Sequence, residues 1–125
     1  MKTLSIKDGF IKTDKYQNNQ EIEKLDLVET MVIFSADAFK NCTSLKQVYF
    51  GLDITRIGNC TFENCTSLTD VYFAITDKDK IVEIAEDAFR GCNNRITFHI
   101  FASALENKYL NDYAKRHNFR VVGMI

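Results

Sequence analysis

Proline and tryptophan are absent from this chain of 125 residues, and glycine occurs only five times. With no glycine-rich loop, a phosphate-cradling P-loop or a dinucleotide-binding turn is excluded. No apolar run approaches the ~20 residues needed to cross a bilayer. The opening MKTLSIKDGF lacks the apolar segment of a secretion signal. A formal net charge of −1 removes any global attraction to nucleic acid or to an anionic membrane. The four cysteines, Cys42, Cys60, Cys65 and Cys92, include no CxxC pair, so a zinc site has little support.

What is present is a period. Residues 38–50 read AFKNCTSLKQVYF and residues 61–73 read TFENCTSLTDVYF, identical at nine of thirteen positions. Phe39 and Phe62, Cys42 and Cys65, Leu45 and Leu68, Val48 and Val71, and Phe50 and Phe73 are each 23 residues apart. One step back falls on Tyr16, Asn19, Ile22, Leu25 and Leu27 in the degenerate copy YQNNQEIEKLDL. One step forward, after four inserted residues, falls on Phe89, Cys92, Phe98 and Ile100. The insertion is placed in the polar stretch 76–80, which reads as a loop. IKTDKY, FSADAF, IGNCTF and IAEDAF each end on the repeated aromatic. Four units at spacings of 23, 23 and 27 follow.

The VxF segment alternates, so Val48 and Phe50 share one face and Gln47 and Tyr49 the other. The DAF segment is too short for a stable helix and reads as a helical turn. The small residues Ala38, Thr61 and Ala88 allow close approach between coils. A unit this short cannot bury its own apolar face, whereas stacked units share one continuous core. The expectation is a single domain: an N-terminal edge over 1–10, repeats over 11–100, and a C-terminal helix–strand cap over 101–125.

These residues resemble the BspA-like leucine-rich repeat family, whose units read roughly I-G-x-x-A-F-x-x-C-x-S-L-x-x-V-x-I. The likeness is strong over 34–73, good over 84–100 and weak before residue 30. It implies a mostly β solenoid of about four coils, with short strands on both faces, helical turns along one edge and a binding role, often at a bacterial surface. Family units often carry Pro after the strand, where this chain has Gly51, Ala74 and Phe101.

The open end of such a stack needs a cover. SALENKYLNDYAKRHN supplies an amphipathic helix, with Ser103 and Glu106 at capping-box spacing and a stripe of Leu105, Tyr109 and Tyr113. Lys115, Arg116 and His117 suit the negative helix terminus, Asn118 can take a left-handed stop, and FRVVGMI reads as a closing strand.

Candidate chemistry is sparse. Cys42, Cys65 and Cys92 recur at one repeat position, as a buried ladder would and a nucleophile would not. Cys60 replaces the Asp of positions 37 and 87, so it is expected to be more exposed, with a reactive thiol as the functional reading. His99 and His117 show neither ligand spacing to a cysteine nor an acidic partner. The NCT triplets at 41, 59 and 64 read as repeated structure. Asp26 and Asp70 would stand roughly 9–10 Å apart across two strand spacings, too wide for a retaining glycosidase pair. No catalytic group, cofactor or metal is expected.

Function is therefore assigned to the outward faces of the stacked strands. One rank is Lys24, Gln47, Asp70 and Thr97; the next is Asp26, Tyr49, Tyr72 and His99; Phe101 extends the aromatic strip. Solenoids bind through such faces, and Tyr is enriched at interface hot spots, though cross-strand Tyr pairs also stabilise sheets. The leading expectation is a protein-binding module, either a surface-adhesin fragment or a small intracellular protein that inhibits a partner. A carbohydrate-binding module using Tyr49 and Tyr72 as platforms is the second reading. Self-assembly through the N-terminal face around Leu4, Ile6, Phe10 and Ile11 is the third, so a monomer or weak self-association is expected. A cytoplasmic location is expected if the chain is complete, and a cell-surface or secreted one if it is an excised fragment.

Overall fold

The computed structural model describes residues 2–93 and 95–125. The chain winds into a solenoid whose first four coils each contribute one strand to each of two parallel sheets. The larger sheet has six strands: β1 (Thr3–Ser5), β3 (Lys24–Leu27), β5 (Gln47–Phe50), β7 (Asp70–Phe73), β9 (Thr97–Phe101) and β10 (Arg120–Met124). The smaller has four: β2 (Phe10–Ile11), β4 (Val32–Ile33), β6 (Arg56–Ile57) and β8 (Glu83–Ile84). A 3₁₀ turn, Ala102–Ala104, and one helix, α1 (Lys108–Arg116), lie between β9 and β10.

The repeat sets the register. Leu25, Val48, Val71 and Phe98 are Cα partners along the large sheet, as are Leu27, Phe50, Phe73 and Ile100. All eight are buried. Ile11, Ile33 and Ile57 face them from the small sheet, also buried. The turns carry a third column, in which Tyr16, Phe39, Phe62 and Phe89 stack at centroid distances of 5.7, 5.7 and 5.3 Å. The DAF-type segments form hydrogen-bonded turns between the sheets.

The turns are joined coil to coil by the main chain. Asn18, Asn41 and Asn64 donate their backbone N–H to Lys40, Glu63 and Arg90 of the next coil, at 2.7, 2.8 and 2.8 Å. Phe39 and Phe62 donate likewise to Thr61 and Ala88. A proline at any of these places would delete a bond that holds two coils together. The same three asparagines adopt φ of 64, 63 and 60°, and Asn41 and Asn64 donate side-chain N–H to the Oδ1 of the preceding asparagine, at 2.8 and 3.1 Å. Two of the three NCT asparagines are thus used in this ladder. In the last coil Gly91 takes the position, at φ 77°, where a Cβ would lie 2.1 Å from Asn64 Oδ1.

The cysteine ladder takes its expected place. Cys42, Cys65 and Cys92 donate S–H to the carbonyls of Tyr16, Phe39 and Phe62 in the preceding coil, at 3.3, 3.2 and 2.9 Å. Cys42 and Cys65 are buried and Cys92 is half-buried. Thr61, fully buried, donates its hydroxyl to Gly58 O at 2.8 Å.

The N-terminal residues do more than edge the stack. β1 pairs with β3, and β2 with β4, so a first coil precedes the degenerate copy and the pairs β1/β2 to β9/α1 make five coils. The cap differs from expectation in its start. Ser103 lies in the 3₁₀ turn and Glu106 before the helix, both exposed, while buried Asn107 caps α1 by accepting from Leu110 N–H at 3.1 Å. Asn107 also donates to Lys80 O at 2.9 Å, tying the cap to the inserted loop. One residue satisfies both ends of that junction, which a solvent-facing Ser103 cannot do. The later start turns the helix, so Leu110, Tyr113 and Ala114 are buried while Leu105 and Tyr109 are exposed. Asn118, at φ 61°, ends the helix as expected, and β10 closes the large sheet.

Phe62 is fully buried between Phe39, Phe89 and the edge of Phe50. Replacing it with alanine removes an inner ring of the turn column and its edge contact with Phe50, and the expected loss is about 3–5 kcal/mol. Urea unfolding followed by circular dichroism measures this; a loss under about 1 kcal/mol would contradict the shared core.

Candidate functional site

The outward ranks of the large sheet run its full width. Thr3, Lys24, Gln47, Asp70, Thr97 and Arg120 form one, and Ser5, Asp26, Tyr49, Tyr72, His99 and Val122 the next. From Lys24 to His99 these side chains are half-buried. Every residue assigned to the face from the sequence stands on it, and the topology joins them into one surface.

The second rank is a column of stacked rings. Tyr49 and Tyr72 lie 4.3 Å apart with 1° between planes, and Tyr72 and His99 lie 4.2 Å apart at 11°. These separations are smaller than the ~4.8 Å between strands, so the rings lean together into full contact. Lys24 Nζ covers the free face of Tyr49, 4.6 Å from its centroid, in cation–π geometry. Val122 flanks His99 on β10. Both faces of Tyr49 and of Tyr72 are thus occupied, and the Tyr49 hydroxyl donates to Gln47 Oε1 at 3.4 Å. Burial, then the neighbouring Tyr49, raises the Tyr72 phenol above its ordinary value, so the Tyr72 hydroxyl remains a neutral donor at neutral pH.

His99 does have an acidic partner, contrary to the expectation from spacing. Its Nε2 lies 2.7 Å from Asp70 Oδ1, one strand away and one rank across. Thr69 donates its hydroxyl to the other carboxylate oxygen at 2.8 Å. His117 likewise meets Glu86, at 3.3 Å, and stacks on Tyr113 at 4.1 Å. Both partners are distant in sequence, 29 and 31 residues away, and are reached only through coil stacking.

Phe101 occupies the third outward rank beside Ala74, with Met124 as its partner on β10. Among the described residues no aromatic ring stacks on it. At Gly51 in this rank a Cβ would lie 1.8 Å from Val28 O, so the coil crosses too closely for any side chain. Arg120 and Val122 belong to the face but were not singled out from the sequence. The signal was available: Arg120 is 23 residues from Thr97, one period onward.

The turn edge carries one further cluster. Ligand atoms of Asp37, Cys60 and Glu63 fall within 4.8 Å of one another. Arg90 donates to Glu63 Oε2 at 3.1 Å and to Cys60 Sγ at 3.4 Å, so a guanidinium already serves as the cation there. The Cys60 thiol is pushed up to about 12, chiefly by its hydrogen bond to the Glu63 carboxylate, then by burial and by Asp87. That is the reverse of a reactive cysteine.

A family model described as BspA type leucine rich repeat region matches residues 8–117, in six copies. The chain belongs to the BspA-type leucine-rich repeat family. Neither the curated proteins nor the solved structures compared with it give a match. The repeat family model reaches beyond the stretch 11–100 at both ends, into the first coil and the cap.

Two outcomes follow from the raised groups. At pH 8 Cys60 holds about a thousandfold less thiolate than an ordinary thiol, so iodoacetamide is expected to label it slowly, and Glu63→Gln to accelerate labelling; mass spectrometry of the labelled peptide distinguishes the two. Burial also raises the Tyr113 phenol, whose hydroxyl donates to Ala85 O at 3.1 Å. The folded state favours the neutral form of both groups. Their stabilising contribution is therefore complete below the unfolded values of 9.0 and 10.0 and is lost as pH rises through the folded ones. Thermal melts should show a melting temperature that falls above pH 9, less steeply in Tyr113→Phe.

Proposed function

We propose that the chain is a non-catalytic protein-binding repeat module that engages its partner through the outward face of the six-stranded sheet. The observation that carries this is the closed column Lys24–Tyr49–Tyr72–His99, held at 4.6, 4.3 and 4.2 Å. Pre-stacked aromatic side chains lose little conformational freedom on binding. They present C–H edges, two phenol hydroxyls and an imidazole in a line, a mixture of apolar and hydrogen-bonding contact that suits a protein surface. Gln47, Asp70, Thr97 and Arg120 in the adjacent rank supply a polar rim. Asp70 fixes the imidazole of His99 in place, so the column enters a complex already ordered.

The same geometry disfavours the carbohydrate reading. A sugar ring packs on an open aromatic face, and here both faces of Tyr49 and Tyr72 are covered by a neighbouring ring or by Lys24.

The double variant Tyr49→Ala/Tyr72→Ala tests the proposal, with Glu29→Ala, exposed in the turn between β3 and β4, as control. Affinity capture with the chain as bait should recover a partner with wild type and control, and lose it about tenfold or more with the double variant. Retention of the partner by a correctly folded double variant, checked by circular dichroism, would overturn the assignment.

A further inference from the structure

The four-stranded sheet carries an outward face that neither the repeat core nor the proposed binding strip uses. Its rank reads Phe10, Val32, Arg56, Glu83 across β2, β4, β6 and β8. The N-terminal half is apolar and open: Phe10 and Phe34 stack at 5.7 Å and are 47 and 55% exposed. A groove of ≈ 350 Å³ continues from Val32 and Phe34 past Thr55, Arg56 and Glu83 to Ile81, itself 57% exposed. A second groove of ≈ 260 Å³ opens beyond β8, bounded by Val82 and by Tyr109, Asp112 and Arg116 of α1, and shares Glu83 with the first. The two form one furrow with a raised aromatic pair at one end and a recess at the other.

Two opposite charges stand at its centre. Arg56 and Glu83 are Cα partners on neighbouring strands, both exposed. Among the described residues neither makes an ion pair, although seven such pairs occur elsewhere. Two opposite charges side by side at the centre of the furrow are complementary to the same two charges turned around.

We infer that this face is an interface between two copies of the chain, related by a two-fold axis that lies parallel to the strands between β6 and β8. That operator sets Arg56 of each copy against Glu83 of the other, giving two equivalent ion pairs at the centre of an isologous contact. It also carries the Phe10–Phe34 pair of each copy past β8 of the other, to the recess beside Tyr109. A two-fold across the strands would instead place Arg56 on Arg56 and Glu83 on Glu83, at a cost in like-charge repulsion. The Phe10–Phe34 pair and Ile81 beside the paired centre help to exclude water from the ion pairs. The six-stranded sheet remains free in this dimer, so each assembly presents two binding strips facing away from one another, an arrangement suited to bivalent partners.

The test is a charge exchange. Sedimentation equilibrium on the wild-type chain should show a reversible monomer–dimer equilibrium. Arg56→Glu alone and Glu83→Arg alone should each weaken it by about tenfold or more. An equimolar mixture of these two single variants should restore dimerisation as a heterodimer, because every pair across that interface is again of opposite sign. Phe34→Ser should weaken the wild-type dimer without changing the charge pattern. Thermal melts of all variants establish that they are folded. A wild-type chain that stays monomeric at high micromolar concentration overturns the proposal. So does a dimer indifferent to the single reversals, or one that the mixture fails to restore.

Discussion

The main-chain hydrogen bond from one coil to the next is the constraint on which the rest of this molecule depends. In the sheets it fixes strand against strand, and in the turns it fixes Asn18, Asn41 and Asn64 against the carbonyls of the following coil. Once these are set, identical positions in successive units must lie on top of one another, about 4.8 Å apart. Side-chain chemistry then comes in columns. Aromatic residues stack, thiols find the preceding carbonyl, and asparagine amides donate to the asparagine before them. The absence of proline is intelligible here, because the turns as well as the strands spend their N–H groups on the neighbouring coil.

The same constraint explains how residues far apart in sequence form one candidate site. Tyr49, Tyr72 and His99 are separated by 23 and 27 residues, yet their rings are in van der Waals contact. No pocket is needed to bring them together. The repeat converts a one-residue choice, made once per unit, into a continuous strip. Cys60 shows the converse. It departs from the Asp seen at 37 and 87 and lands among carboxylates, which hold its thiol protonated instead of activating it.

Periodicity made the columns legible. The inward and outward assignments of Gln47–Phe50 and Asp70–Phe73, the buried Cys42 and Cys65, and the loop at 76–80 all follow from alternation and spacing, and all are present. Departures from the period were harder to place. Helix α1 begins at Lys108 because buried Asn107 bonds to Lys80 O, and nothing in the local pattern weighs that against an exposed capping box at Ser103. The His99–Asp70 contact crosses both a strand and a rank, so neighbour spacing hides it. The first coil was obscured by its short strands, two and three residues long, which carry too little pattern to register as a unit.

The tie between Asn107 and Lys80 has a mechanical corollary. Bonds between coils run along the solenoid axis, so tension applied between the two ends would load one interface after another in series. Coils would peel singly instead of yielding together, beginning with the weakest. The first coil rests on strands of two and three residues, an exposed Lys2–Glu21 ion pair and the exposed Phe10–Phe34 stack, whereas the last is clamped by a helix, the sixth strand of the large sheet and the Asn107 side chain bonded to the inserted loop. Under load the molecule is therefore polar: it unwinds from its beginning, and the aromatic strip between β5 and β9 outlasts the coil that precedes it.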